Sequence, residues 1–68
     1  MHINISVNGE AKQVPAGQTV AALVNELALA DRRIAVEVNQ EIVPRSLYAE
    51  HALHAGDHVE VVTAIGGG

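Results

Sequence analysis

The sequence predicts a two-layer α+β fold, with one helix packed across a mixed sheet of four or five strands. Three observations carry that expectation. Apolar and polar residues alternate in short runs, helical spacing of apolar residues occurs once, and turn-forming residues separate the runs in the order ββαβββ. The chain has 68 residues, enough for one small domain. Residues 1–65 form that domain in this reading, and residues 66–68 a flexible glycine tail.

The first strand is read from Ile3, Ile5 and Val7, which share one face of an extended segment and alternate with Asn4 and Ser6. Asn8-Gly9 follows. Both residues accept positive φ, and this dipeptide is a strong hairpin signal. Glu10 to Val14 should return as the second strand. Strict two-residue pairing would set Lys12 and Val14 on the face of the isoleucines, whereas a bulge or longer turn would shift the register, so the register stays open.

Pro15-Ala16-Gly17 interrupts the strand, and Thr19 is placed to cap a helix whose apolar residues Val20, Leu23, Val24 and Leu27 follow the i, i+3, i+4, i+7 pattern. Asp31-Arg32-Arg33 is a polar exit. Ile34, Val36 and Val38 then alternate with Ala35 and Glu37, Asn39-Gln40 reads as a turn, and Glu41 to Val43 is a short strand stopped by Pro44. Ser46-Leu47-Tyr48 is expected to make one helical turn and Ala55-Gly56-Asp57 a tight turn. His58 to Ile65 completes the sheet, with Val59, Val61, Thr63 and Ile65 on one side.

Composition narrows the function. Tyr48 is the sole aromatic residue, so the core must come from ten Val, five Ile, five Leu and alanines. A core of this kind supports about 3 to 5 kcal/mol of net stability and leaves little room for a deep polar cleft. An enzyme-sized pocket is therefore not expected. Eight acidic against four basic residues give a formal net charge of −4, which repels phosphate backbones and argues against nucleic-acid binding. The longest apolar run, Val20 to Val24, is far short of the roughly 20 residues of a membrane span, and no charged leader precedes a signal-type run. Without cysteine there is no disulfide framework or thiolate nucleophile, in keeping with a reducing cytoplasm. The expected protein is a small acidic cytoplasmic module whose partners present basic or apolar surfaces.

The sequence ends in Gly66-Gly67-Gly68, directly after an apolar strand. The order of motifs is then informative: Val7-Asn8-Gly9-Glu10, Gly17-Gln18-Thr19-Val20 with Leu23 and Leu27, Val38 to Arg45, Gly56-Asp57 with Val59 to Val62, and the terminal glycines. Taken together, and over essentially the whole chain, this pattern resembles the ThiS-type sulfur carriers of thiamine (thiazole) biosynthesis. The resemblance implies a ubiquitin-like β-grasp fold, which agrees with the ββαβββ order read from the residues. It also implies a carrier modified by partner enzymes, with no catalytic residue and no bound cofactor of its own. Those partners would be an E1-like adenylating enzyme that consumes ATP, a persulfide sulfur donor of the cysteine desulfurase type, and thiazole synthase.

The chemistry implied rests on Gly68. An α-carboxylate, ionised at neutral pH, can attack the α-phosphorus of ATP and become an acyl-adenylate, and a persulfide can then displace AMP on the way to a thiocarboxylate. Glycine lacks Cβ, so the tail can thread a narrow channel without shielding its carbonyl. Three glycines span at most about 10 Å. No phosphate-cradling Gly-x-x-x-x-Gly-Lys loop is present, as expected of a substrate and not of the ATP-binding partner. The small subunit of molybdopterin synthase shares the fold and the terminal glycines, although prolines and alanine usually precede them where this chain has Thr63-Ala64-Ile65. A ubiquitin-like binding module with an inert tail is the remaining alternative.

Two other features bear on function. If Val59, Val61 and Thr63 face inward, Val62 and Ala64 form an outward apolar strip leading to the tail, a candidate docking surface for the adenylating enzyme. His51, His54 and His58 would share a face only if that segment were helical, and Gly56-Asp57 should interrupt such a helix. No metal site is therefore expected. Arg32-Arg33 reads as a solvated corner, Arg45 as a surface arginine and Tyr48 as core.

Overall fold

The structure, a computed structural model, describes residues 1–63. Its elements are β1 (His2–Val7), β2 (Glu10–Pro15), α1 (Val20–Glu26), β3 (Ile34–Val38), β4 (Glu41–Val43), a 3₁₀ turn (Arg45–Leu47) and β5 (His58–Thr63). The five strands form one sheet in the order β2-β1-β5-β3-β4. β5 runs parallel to β1 and antiparallel to β3, and the other neighbours are antiparallel, so the last strand in sequence is the middle strand in space.

The first hairpin takes the strict register. Val7 pairs with Glu10, Ile5 with Lys12 and Ile3 with Val14. Asn8 (φ 51°) and Gly9 (φ 85°) both sit in the left-handed region, as a two-residue type I′ connection requires. This register turns Val14 into the fully buried core and brings Lys12 to the edge of the helix, where Nζ lies 2.8 Å from Glu26 Oε1. The charge on the core-facing side of β2 is thus met by a carboxylate of α1 at the rim. The hydrogen bond from Lys12, and then its charge, hold the Glu26 carboxyl below its ordinary value of 4.5.

Thr19 caps α1 as expected, its Oγ1 accepting from the Ala22 N–H at 3.2 Å. The carbonyls of His51 and Tyr48 accept from Val20 and Ala21 N–H, both at 2.9 Å. Most of the helix start is therefore satisfied by the segment that follows the 3₁₀ turn. At the other end Leu27 is the C-cap and Ala28 takes φ 61°, while Leu29 N–H bonds Val24 C=O and Ala28 N–H bonds Asn25 C=O, both at 3.0 Å. That is the Schellman arrangement, here with alanine where glycine is usual. Val20, Leu23 and Val24 pack on the sheet against Ile5, Val14, Val36 and Val59, with Tyr48 and Leu53 closing the same core.

Two sequence expectations shift. The helical turn begins at Arg45 instead of Ser46, directly after Pro44, whose extended φ and ψ (−61°, 145°) serve as its entry. Thr63, which the alternation places on the buried side with Val59 and Val61, is exposed, at the end of β5 opposite Ile34. Of the expected strand to Ile65, Ala64 and Ile65 lie outside the described residues.

Candidate functional site

The site read from the sequence is the end of β5 and the tail beyond it. Gly66, Gly67 and Gly68, like Ala64, lie outside the described residues, so the site is built from what holds and surrounds β5 up to Thr63. On one side, β3 pairs with β5 along its length, from Val38 opposite Val59 to Ile34 opposite Thr63. On the other side, β1 ends early: only Ser6 and Val7 pair with His58 and Val59.

Asn8 takes over where β1 stops. Its backbone N–H donates to Val59 C=O at 2.9 Å. Its side-chain Oδ1 accepts from Val61 N–H at 2.8 Å, and Nδ2 donates to Val61 C=O at 3.1 Å. One side chain thereby stands in for a strand residue and clamps the last turn of pleat before the tail. The sequence revealed Asn8 only as a turn residue; nothing in a local pattern shows that its amide meets a backbone 53 residues away.

The outward face of β5 has a definite pattern. Val62 is 60% exposed, and its register partner Ala35 on β3 is exposed beside it. In the next row Glu60 lies opposite Glu37, and Ile42 of β4, 70% exposed, lies opposite Glu37 on the far side. Val62 and Arg33, Ile34, Ala35 and Arg45 line a hollow at the end toward the tail. Arg45 also donates from Nη2 to the carbonyls of Ala30 (3.4 Å) and Arg32 (3.2 Å), which steadies the segment feeding β3. The apolar contribution of Ile42 and Ala35 was missed from sequence because which strands flank β5 is a matter of topology.

The histidines do not assemble. The segment from His51 to Asp57 is extended and turned, not helical; its carboxylate, Asp57, is engaged by His54 N–H at 2.8 Å and by Asn39 Nδ2 at 3.0 Å. His58 Nδ1 lies 2.9 Å from Ser6 Oγ on the outer face. Among the described residues no group of three or more His, Cys, Asp or Glu is arranged to hold a metal ion. No helix among them is long and apolar enough to cross a membrane.

Residues 5–68 match the model of the ThiS family. The sulfur carrier protein ThiS of Escherichia coli is 38% identical over 66 residues, covering 97% of this chain and 100% of that protein. A thiazole synthase of Paramagnetospirillum magneticum is 47% identical over 66 residues, but the chain spans only 20% of its length. Among solved structures, the thiamine biosynthesis protein ThiS from Geobacter metallireducens superposes with a TM-score of 0.83 at 30% identity, over 97% of this chain and all of that one. The ubiquitin-like β-grasp architecture is thus common to both.

Proposed function

The chain belongs to the ThiS family, small sulfur carriers and not enzymes, and from that premise we propose that it carries sulfur for thiazole formation as a thiocarboxylate on Gly68. The observation that supports this most is that the family match runs to Gly68 and that the whole of the E. coli carrier is covered.

In the proposed cycle a carboxylate oxygen of Gly68 attacks the α-phosphorus of ATP on an E1-like adenylating enzyme, and pyrophosphate leaves. The terminal sulfur of a persulfide, of the kind a cysteine desulfurase forms, attacks the acyl carbon and expels AMP. A thiol then cleaves the resulting S–S bond and leaves the thiocarboxylate. Thiazole synthase is the acceptor, a role supported by the region similar to this chain that thiazole synthases contain. The carrier's own contribution is delivery. Asn8 and β3 hold β5 to within five residues of the reacting carbon, and the glycines add no side chain that would obstruct a partner's channel. Val62 and Ala64 are the proposed docking strip for the adenylating enzyme, and the cytoplasm, where ATP and reduced thiols are available, is the proposed compartment.

The test is mass spectrometry after incubation with ATP, the adenylating enzyme and the sulfur donor. The wild type should gain the mass of one oxygen-to-sulfur exchange at Gly68. A variant with one residue appended after Gly68 should gain nothing while keeping its circular dichroism and melting temperature. Sulfur uptake by the extended variant would refute the proposal and favour a ubiquitin-like binding module.

A further inference from the structure

Both hairpin turns set an asparagine in the left-handed region and use its side chain to hold β5, one toward each end of that strand. Asn39 (φ 53°) donates from Nδ2 to Asp57 Oδ1 and accepts at Oδ1 from His58 N–H, both at 3.0 Å. Asn8 (φ 51°) holds Val61 in the same way, with one donor and one acceptor, near the end that leads to the tail. The residue that follows differs. Asn39 precedes Gln40, whereas Asn8 precedes Gly9 and is the only asparagine of the chain that a glycine follows. Among the described residues no hydrogen bond takes up the Gly9 N–H, and a Cβ built on Gly9 would meet no atom within 4 Å. This nitrogen therefore stands at an open, exposed bend.

We propose that Asn8 is a site of spontaneous covalent modification, where the side-chain amide is converted to a carboxylate through a cyclic imide and the hold on β5 beside the tail is released. The nucleophile is the Gly9 backbone nitrogen, which no side chain shields. It attacks Asn8 Cγ: the N–Cγ bond forms, the Cγ–Nδ2 bond breaks, and Nδ2 leaves as ammonia with the proton that the Gly9 N–H gave up. Water then adds to one of the two imide carbonyls. Opening at Cγ leaves aspartate at position 8, opening at the main-chain carbonyl leaves isoaspartate, and neither step needs an oxidant or reductant. The folded turn restrains the first step, because Cγ cannot swing to the Gly9 nitrogen while both amide atoms are bonded to Val61. Opening of that joint, with the core intact, sets the rate. The products cannot restore it. A carboxylate has no hydrogen to give Val61 C=O and sets a negative charge against that oxygen, and isoaspartate also lengthens a two-residue turn whose length fixes the register of β1 and β2.

The free chain suffices for the test, and no partner enters it. After incubation at physiological temperature and mildly alkaline pH, peptide mapping by mass spectrometry should find the amide-to-acid mass change at Asn8 and an intact Asn39. Conversion in the folded chain should run about 30-fold slower than in urea, the factor that breaking two hydrogen bonds supplies. Asn8→Asp, a stable copy of one product, keeps a residue that tolerates left-handed backbone and should melt about 4–8 °C below the wild type, the shift of one lost hydrogen bond in a domain of this size. The aged fraction, separated from its parent on anion exchange by the added negative charge, should melt lower by at least as much. No conversion at Asn8, or conversion of Asn39 at a matching rate, overturns the proposal. Equal rates in the folded chain and in urea would show that Val61 does not restrain the amide, and protection beyond about a thousandfold, the scale of global unfolding, that only the unfolded chain reacts; either overturns it too. So does an aged fraction that melts with the wild type, which would leave β5 as firmly held as before.

Discussion

Replacing Asn8 separates the two things this residue does. Its amide makes two hydrogen bonds to Val61, and its backbone holds φ 51° in the turn. Each hydrogen bond contributes about 1 kcal/mol net, and a left-handed φ costs alanine about 1 kcal/mol more than it costs asparagine or glycine. Asn8→Gly keeps the turn and loses the clamp, so it should cost about 2 kcal/mol. Asn8→Ala loses both and should cost about 3 kcal/mol, a large part of the roughly 3 to 5 kcal/mol that a domain of this size holds. At about 4–8 °C per kcal/mol, Asn8→Gly should melt roughly 8–16 °C below the wild type and Asn8→Ala lower still. Urea denaturation monitored by circular dichroism measures both differences, and amide exchange should show Val61 N–H losing protection in each variant. An Asn8→Gly protein within about 0.5 kcal/mol of wild type would mean that water replaces the clamp without cost. Equal losses for glycine and alanine would mean that the positive φ carries no strain. Either result refutes the reasoning.

The remaining predictions concern other joints of the fold. Ala28→Gly and Gln40→Gly place glycine where the backbone already holds φ 61° and 70°, and each should raise stability by about 0.5–1 kcal/mol in chemical denaturation. Leu23→Ala opens a cavity under the centre of the helix and should cost about 3–5 kcal/mol, enough to leave much of the protein unfolded at 37 °C by thermal melting. Because the folded-state pKa of Glu26 lies below its unfolded value, the contribution of the Lys12–Glu26 pair is present above the unfolded pKa and is lost as pH falls through the folded one. Glu26→Gln should therefore melt below the wild type at neutral pH, with the gap closing in acid; a gap independent of pH would exclude the ion pair as its cause. Val62→Asp, at an exposed position, should leave the melting temperature within a few degrees while weakening adenylation by the partner enzyme.

Local rules made most of the fold legible. Alternation found β1, β3 and the inward face of β5, because a strand's period of two is written in neighbouring residues. Thr19 announced the helix start, since a cap is satisfied within three residues of itself. The order of turns, strands and glycines was specific enough to point to the family. Tertiary structure decided what depends on residues far apart in the chain. The strict register of the first hairpin became definite only when Val14 had a helix to pack beneath and Lys12 a carboxylate to reach. Ala28 and Gln40 hold left-handed conformations that no propensity assigns to alanine or glutamine, because the cap that closes α1 and the two-residue turn between β3 and β4 require them. The clamp of Asn8 on Val61, and the opposition of Glu37 to Glu60, exist only because β5 enters the sheet between β1 and β3. A strand's neighbours are chosen by burial of the whole sheet, a sum over distant residues that no window along the sequence contains.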